Sequence, residues 1–218
     1  MKRIFFVASL VFALAACNDN KTDQASTTKT DSSDHGVHSP NDNQPAEGAN
    51  HMKAMHDAMN NMMSQMQTMK PSGDPDHDFA MMMKHHHEGA IEMAKAEVAG
   101  GTNADLKQKA QKMINDQQSE IAVFDKVLQG NPPSGNSDYG QKAMAMMTPM
   151  SEIKMESGSL DAMFASMMIP HHQDAVKMAQ EYLKVGKNAE LKKVAQNIIS
   201  SQQKEIQELK DWLNSNKA

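Results

Sequence analysis

Cysteine is nearly absent from this sequence, and aromatic residues are scarce. A single Cys in 218 residues excludes an internal disulfide framework and a zinc site built from several thiolates. Aromatic residues make up 4% of the chain, so we expect a core of aliphatic side chains. The formal charge of −5 comes from interspersed acidic and basic residues, without the clustered basic patch of a nucleic-acid-binding surface. We therefore expect no nucleic-acid partner.

Long hydrophobic runs are also missing, and the N-terminal apolar stretch is short. Lys2 and Arg3 precede an apolar segment from 4 to 13, whereas a membrane-spanning helix needs about 20 apolar residues. A basic start, a short apolar segment and small residues before a cleavage point are typical of a secretory signal. We therefore predict a signal peptide over 1–16.

The sequence Leu-Ala-Ala-Cys at 14–17 resembles the bacterial lipobox, in which the cysteine is lipidated and becomes the mature N-terminus. The alternative is an ordinary signal cleaved after Ala16, which would leave Cys17 as a free thiol. Asn18 rather than Asp follows the cysteine, and by resemblance to Gram-negative sorting signals this favours the outer membrane over the inner. We expect an envelope lipoprotein that faces the periplasm, with its lipid as the only contact with the membrane.

Residues 18–50 consist mainly of Asp, Ser, Thr, Asn and Pro, with almost no large apolar side chain. Such a segment cannot bury enough apolar surface to offset the entropy of ordering the chain. We therefore predict that 17–50 comprises the lipidated cysteine and a disordered tether.

Methionine and histidine are abundant, with 22 Met and 10 His in the chain. Residues 79–128 match residues 164–213 without a gap at a constant offset of 85, and a weaker match extends upstream. Self-similarity at a fixed offset indicates an internal repeat. We predict two repeats, 51–130 and 139–214, each a Met-rich segment followed by two longer segments.

The longer segments show helical periodicity. Apolar residues recur every three or four positions over 106–128 and again over 191–213, and no stretch alternates as a strand does. Asp76 and Asp161 are candidate N-caps, and Gly101 and Gly186 are candidate turns. The fold class we predict is all-α: a four-helix bundle from two repeated helical hairpins, with Met-rich helices over 51–69 and 139–156, the second broken or kinked at Pro149.

One constellation, Met-Met-x-x-His-His-x5-Met, occurs in both halves. Residues four apart lie on one face of a helix, so Met82 with His86 can share one ion. Thioether and imidazole together suit a soft, low-coordinate cation, which in biology means copper(I), with silver(I) as its mimic. Outside the cytoplasm thiols oxidise to disulfides, which leaves methionine as the practical soft ligand. The candidate metal ligands are Met82, Met83, His86, His87, Met93, Met167, Met168, His171, His172 and Met178.

Several weaker candidates accompany this constellation. Met59, Met62, Met144 and Met147 lie in the Met-rich segments, which contain almost no Leu or Ile and are therefore candidate additional soft-metal sites. The alternatives are helix packing, the usual role of a Met stripe, and a pliable surface that docks a partner. We expect His85, which has no counterpart in the second half, to be a solvated neighbour.

Polar residues interrupt the apolar stripes of the second long segments. Gln117 and Gln202 lie on those stripes, and Glu120 and Glu205 follow one turn later. These side chains either orient His87 and His172 from the paired helix or form structural hydrogen bonds that fix the register of the bundle. The sequence leaves both alternatives open.

The second half carries a family resemblance through Met-Met-Ile-Pro-His-His-Gln at 167–173 and Gln-x-x-Glu-Ile at 202–206. It resembles the family called domain of unknown function 305, and the first half is similar but has Lys84-His85 in place of Ile-Pro. The resemblance implies a secreted or lipid-anchored four-helix bundle, ferritin-like in shape. The duplicated, Met-rich form resembles CopM-type periplasmic proteins, which implies binding of copper(I) and silver(I).

We expect no enzymatic activity. A di-iron site would need Glu-x-x-His on two helices, and no Glu precedes either His pair by three residues. We expect a protein that binds and sequesters, or delivers, copper(I) in the cell envelope, in metal resistance or homeostasis, with a copper-handling envelope protein as its partner. The alternative is a structural or adaptor lipoprotein whose methionines pack, dock a partner or scavenge oxidants.

Overall fold

The computed structural model describes residues 44–130, 132–156 and 158–216. The predicted signal peptide, Cys17 and most of the predicted tether lie outside the described residues. Within them the secondary structure is helical and contains no strand, which confirms the all-α prediction. The elements are α1 (Gln44–Thr68), α2 (Pro75–Gly100), α3 (Ala104–Leu128), α4 (Tyr139–Ala145), a 3₁₀ turn (Met150–Glu152), α5 (Leu160–Val185) and α6 (Ala189–Ser215).

The core is formed by two helical hairpins, α2 with α3 and α5 with α6, as the repeat predicts. Helices α2 and α5 start and end at positions that differ by the repeat offset, and these two helices pack against each other at the centre. Helices α3 and α6 lie on the outside of the pair and meet each other only sparsely. The paired centre therefore places equivalent residues of the two repeats face to face.

The helix starts differ from the prediction. Asp74 caps α2, because its Oδ1 accepts hydrogen bonds from the backbone N–H of Asp76 (3.0 Å) and His77 (3.3 Å). Ser159 caps α5, with its Oγ accepting from the N–H of Ala162 at 3.0 Å. The assignment of Asp76 and Asp161 as N-caps was wrong by two residues, because both side chains reach across to the other hairpin.

Asp161 holds the α2–α3 loop. Its carboxylate accepts hydrogen bonds from the N–H (3.0 Å) and hydroxyl (2.6 Å) of Thr102 and from the N–H of Asn103 (2.9 Å). Burial, reinforced by the nearby Asp161, raises the pKa of Glu97 to about 8, so Glu97 keeps its proton at neutral pH. A Cβ at Gly101 would overlap the Glu97 carboxyl. We call this arrangement the first clasp.

Asp76 holds the α5–α6 loop in the equivalent way. It accepts hydrogen bonds from the hydroxyl of Tyr182 (2.6 Å) and from the N–H groups of Lys187 (2.8 Å) and Asn188 (3.1 Å). A Cβ at Gly186 would overlap the Tyr182 ring. Both glycines are helix C-caps at the predicted turns, but their φ angles of −63° and −61° are negative, so glycine is needed there for space rather than for a left-handed backbone. We call this arrangement the second clasp.

The first Met-rich segment forms α1, which begins at Gln44, inside the segment predicted as a tether. Its face toward α2 is almost entirely methionine. Gly89 admits this helix, because a Cβ there would lie 2.7 Å from the Cβ of Met62. The methionines buried on this face are Met55, Met59, Met62 and Met66.

The second Met-rich segment is helical only at its start. Helix α4 ends at Ala145, so the helix predicted over 139–156 is wrong beyond that residue. Thr148 donates its backbone N–H (2.6 Å) and its hydroxyl (2.9 Å) to the carboxylate of Asp174 on α5. Pro149, which has no N–H to continue a helix, follows directly. The chain therefore leaves the helix to reach Asp174.

None of the helices in 44–130, 132–156 and 158–216 is both long enough and apolar enough to cross a membrane.

Candidate metal centre

The ten principal candidate ligands lie on the two central helices, α2 and α5. Each is at most 2% exposed, so the fold gathers all of them into its interior. The repeat offset places the constellation of one helix opposite that of the other. We call this set of methionines and histidines the histidine–methionine centre: Met82, Met83, His86, His87, Met93, Met167, Met168, His171, His172 and Met178.

His86 and His171 meet at the contact between α2 and α5. Their ring centroids are 3.7 Å apart, with 38° between the ring planes. His171 donates its Nε2–H to the carbonyl oxygen of His86 at 3.1 Å. Both ring nitrogens of His86 and the Nδ1 of His171 are buried without a hydrogen-bond partner. A buried polar atom without a partner destabilises the fold by about 1–3 kcal/mol. A ligand that binds these nitrogens would remove that cost.

Both of these imidazoles are neutral. Burial lowers the pKa of His86 well below 6.5, and the nearby His87 and His172 lower it further. Burial likewise lowers the pKa of His171 well below 6.5, with His86 as the next cause. A neutral imidazole offers a nitrogen lone pair, which is the form that coordinates a metal ion.

His87 and His172 each face a glutamate from the paired helix. The Nε2 of His87 lies 2.7 Å from Oε2 of Glu120, and the Nε2 of His172 lies 2.9 Å from Oε2 of Glu205. In both rings the Nδ1 is buried without a partner. The Nε2 of His87 is hydrogen-bonded to Glu120, whereas the Nε2 of His172 makes no hydrogen bond despite its short distance to Glu205. A carboxylate on one imidazole nitrogen fixes the ring and leaves the other nitrogen for a metal. Glu120 and Glu205 thus lie beside His87 and His172, the two histidines that the sequence analysis predicted for them.

The two glutamines behave differently from the glutamates. Gln117 and Gln202 are both 3% exposed. Neither side-chain atom of Gln117 has a hydrogen-bond partner, and the Oε1 of Gln202 has none. The structure therefore brings the glutamates, and not the glutamines, into hydrogen-bonding distance of the histidines.

Each histidine of the centre follows a methionine by four residues on the same helix. This spacing puts the Cβ atoms of Met82 and His86 about 6 Å apart, and likewise those of Met167 and His171. The sequence indicates such a pair within each half, but it does not reveal that the two halves meet at His86 and His171. That contact depends on the packing of α2 against α5.

The described part of the chain contains no cluster of the ligands that zinc and other divalent cations prefer. Among residues 44–130, 132–156 and 158–216, no three His, Cys, Asp or Glu side chains are placed to hold a metal ion. Two imidazoles at the helix contact with thioethers one turn away form a different donor set. Such a set suits a soft ion of low coordination number.

His85 lies outside the centre. Its side chain is 32% exposed, and its Nδ1 is 2.9 Å from Oε2 of Glu88. This position agrees with the prediction of a solvated neighbour.

The four weaker candidates separate into two pairs. Met59 and Met62 are buried in the α1 face that packs on α2. Met144 and Met147 are half-buried and line an open cavity of about 140 Å³. The methionines opposite them are Met63 and Met66 of α1, which belong to the first Met-rich segment; their pairing with Met144 and Met147 depends on where α4 ends and could not be read from the sequence. We call Met63, Met66, Met144 and Met147 the methionine groove.

Family comparisons cover nearly the whole chain. The family model described as "Domain of unknown function (DUF305)" matches residues 14–128 and again residues 129–213, which confirms the resemblance and its duplication. A prokaryotic membrane lipoprotein lipid attachment site matches residues 1–18. The N-terminus therefore marks a membrane-anchored envelope lipoprotein.

Solved structures of CopM are similar to this chain. CopM in its silver-bound form, prepared by soaking, is 31% identical with a TM-score of 0.52, over 66% of this chain and 97% of that one. CopM in its copper(I)-bound form is 28% identical with a TM-score of 0.52, over 66% and 98%. CopM in its apo form is 29% identical with a TM-score of 0.53, over the same shares. No curated protein matches the chain significantly.

The family match, the CopM-like helices and the paired histidine motif agree with one another. The chain belongs to the family described as domain of unknown function 305.

Proposed function

We propose that this lipoprotein binds copper(I), and silver(I) as its mimic, at the histidine–methionine centre, and that it catalyses no reaction. The observation that carries the proposal is the contact of His86 with His171, whose buried ring nitrogens lack protein partners. A cation bound by the lone pairs of these nitrogens would satisfy polar atoms whose burial otherwise costs the fold free energy.

The chemistry of the donors supports a soft ion over zinc or iron. Neutral imidazoles and thioethers need lose no proton to bind a cation. Copper(I) accepts two to four such ligands, whereas zinc prefers a tetrahedral set of imidazole, thiolate and carboxylate. The described residues offer no such group of three. CopM, which resembles this chain, has been solved with silver and with copper(I).

The two repeats would bind a single shared ion at the contact of His86 with His171. The contact, with ring centroids 3.7 Å apart, brings one imidazole of each repeat together, so a single ion can take a ligand from both repeats. The thioethers of Met82 and Met167, one turn before each histidine, are the nearest ligands along each helix. His87, which is hydrogen-bonded to Glu120, and His172, which lies beside Glu205, extend the centre.

The location in the cell envelope indicates where the protein would bind copper(I). Cys17, within the matched lipid attachment site, would carry the lipid, and Asn18 favours the outer membrane. There the protein would sequester copper(I), or pass it to another copper-handling protein of the envelope, and so contribute to metal resistance or homeostasis.

An anaerobic copper(I) titration tests this proposal. The mature chain carrying Cys17→Ser, which removes both the lipid and the only thiol, would compete with a chelator of known affinity, and zinc(II) would serve as the control. We expect tight copper(I) uptake with weak zinc binding. The combined variant M82L/H86N/M167L/H171N should lose the tight copper(I) while keeping its helical circular dichroism. Equal copper(I) uptake by both proteins would overturn the proposal.

The rival function is a structural or adaptor lipoprotein whose methionines only pack. The full burial of the centre favours this rival, because methionine readily fills irregular gaps in helical cores. Truncation of a buried Met to Ala costs about 2–5 kcal/mol of stability, whereas exchange for Leu costs less than about 1.5 kcal/mol. The Leu and Asn variants therefore separate loss of metal from loss of packing.

A further inference from the structure

The methionine groove lies between the two Met-rich segments and outside the histidine–methionine centre. Helices α1 and α4 both pack on α2 and α5, and the groove opens between them. Its cavity of about 140 Å³ is lined by the four groove methionines together with Gln67 and Pro149. The groove therefore joins residues from both repeats at the surface.

The groove methionines come in two pairs with the same spacing. Met63 and Met66 are three residues apart on α1, so their side chains share a face. Met144 and Met147 are also three residues apart, and a backbone hydrogen bond of 3.3 Å from the N–H of Met147 to the carbonyl of Met144 keeps them in one turn. Four thioethers thus face one cavity from two sides.

The turn that carries Met147 is held in place by hydrogen bonds to α5. Thr148, the next residue, donates two hydrogen bonds to the buried carboxylate of Asp174, and Pro149 then fixes the backbone at the rim of the groove. Because the backbone of this turn is already held, an ion bound by Met147 need not pay to order the backbone there. The equivalent position on α2 is Gly89, which instead lets α1 approach.

Three of the four groove methionines are more accessible than the buried methionines of α1, whereas the fourth, Met66, is 1% exposed. Met55, Met59 and Met62 are at most 3% exposed and serve the packing against α2. Met63, Met144 and Met147 are only half-buried and line an open cavity. Packing against α2 explains the burial of Met55, Met59 and Met62. It does not explain why methionines from two separate segments line the open cavity of the groove.

We propose that the methionine groove is a second soft-metal site, made of thioethers without imidazole, that binds copper(I) or silver(I) at the surface of the protein. No carboxylate or imidazole lines the groove, so hard divalent cations have no ligand there. The site is separate from the histidine–methionine centre, and either can bind metal without the other.

Silver(I), which resists oxidation, is the probe for the test. The mature chain with Cys17→Ser would be labelled with ¹³C at the methionine methyl groups and titrated with silver(I), followed by NMR and by calorimetry. We expect the methyl resonances of the four groove methionines to shift together in one titration step. Absence of any shift in these four resonances would overturn the proposal.

Matched variants give the second measurement. M63L/M144L should bind one silver(I) ion fewer than the parent, whereas M155L, which alters a 40% exposed methionine outside the groove, should bind as many as the parent. H86N/H171N should keep the groove step, so failure of the buried centre is distinguishable from failure of the groove. Unchanged silver(I) binding by M63L/M144L, with the helical fold intact, would contradict the proposal.

Discussion

The two repeats are alike in what they bury and different in what they support on the outside. Helices α2 and α5 are each 26 residues long, carry the same Met-Met-x-x-His-His sequence, and meet at His86 and His171. Each also receives a glutamate from its paired helix. The repeated residues thus form the centre, and the two copies complete each other.

The two repeats differ at the surfaces where α1 packs on α2 and where the turn after α4 packs on α5. Gly89 of α2 makes room for Met62 of α1, whereas its counterpart on α5, Asp174, holds the turn after α4 through Thr148. The clasps differ as well, because Glu97 stands where the second repeat has Tyr182. The comparison teaches that one helical hairpin scaffold supports different outer elements through exchanges at single positions.

The largest effect concerns the first clasp. Burial raises the pKa of Glu97 from 4.5 to about 8. In the unfolded chain this carboxyl ionises near pH 4.5, while in the fold it keeps its proton up to about pH 8. Glu97 therefore stabilises the fold fully below pH 4.5, and its contribution is lost as the pH rises to 8, a change on the order of 4 kcal/mol.

Replacement of Glu97 by Gln should remove this dependence. Urea unfolding at pH 5 and pH 8 should show that E97Q gains stability over the parent as the pH rises. The buried histidines contribute alike to both proteins, so the difference isolates Glu97. Y182F, altered at the equivalent position of the other repeat, should follow the parent. Parallel pH profiles for E97Q and the parent would contradict the role assigned to Glu97.

The clasp aspartates should differ in their contributions to stability. Asp161 is 3% exposed and accepts hydrogen bonds from Thr102 and Asn103, whereas Asp76 is only half-buried. Buried donors without a partner cost more than donors that reach water. We expect D161A to lower the free energy of unfolding by about 3 kcal/mol and D76A by about 2 kcal/mol. Equal losses in denaturant titrations would show that burial does not distinguish the clasps.

A smaller effect is expected at Gly89. In G89A the new methyl group would lie 2.7 Å from the Cβ of Met62, so α1 must shift, at about 2 kcal/mol. The matched control is G48A on α1, where an added Cβ meets nothing within 4 Å and the helix should gain stability. Thermal unfolding of both variants gives the comparison. A neutral G89A would mean that α1 does not pack closely on α2.

The smallest effect concerns the glutamates that orient the outer histidines. E120Q and E205Q should each weaken copper(I) binding about tenfold, since Gln holds an imidazole less firmly than a carboxylate does. Competition with a copper(I) chelator measures the change. E92Q, on an exposed glutamate of α2 that pairs with Lys95, should leave the affinity unaltered. If all three variants bind alike, the glutamates serve only the register of the bundle.

Much of the fold can be predicted from the sequence because it depends on local periodicity. The three- and four-residue spacing defines α3 and α6, and the constant offset defines the equivalent hairpins. Burial of the ten candidate ligands also follows, because they lie on the faces that two paired hairpins must cover. The glutamates beside His87 and His172 could be anticipated for the same reason.

The remaining features depend on contacts between distant residues. Asp76 and Asp161 resemble N-caps locally, but the loops of the opposite hairpin attract their carboxylates. Helix α4 ends early because Thr148 bonds to Asp174, which no local pattern reveals. The contact of His86 with His171 requires α2 to pack on α5 in one register. Such features appear only once the two repeats are assembled.

The central claim is that both repeats contribute to one shared copper(I) site. The most direct measurement is an anaerobic copper(I) competition titration of H86N, of H171N and of the combined variant. A shared ion predicts that each single change abolishes the same tight equivalent and that the combined variant loses nothing further. If instead each single change removes its own equivalent and the combined variant removes both, the repeats bind copper(I) independently and the shared site is wrong.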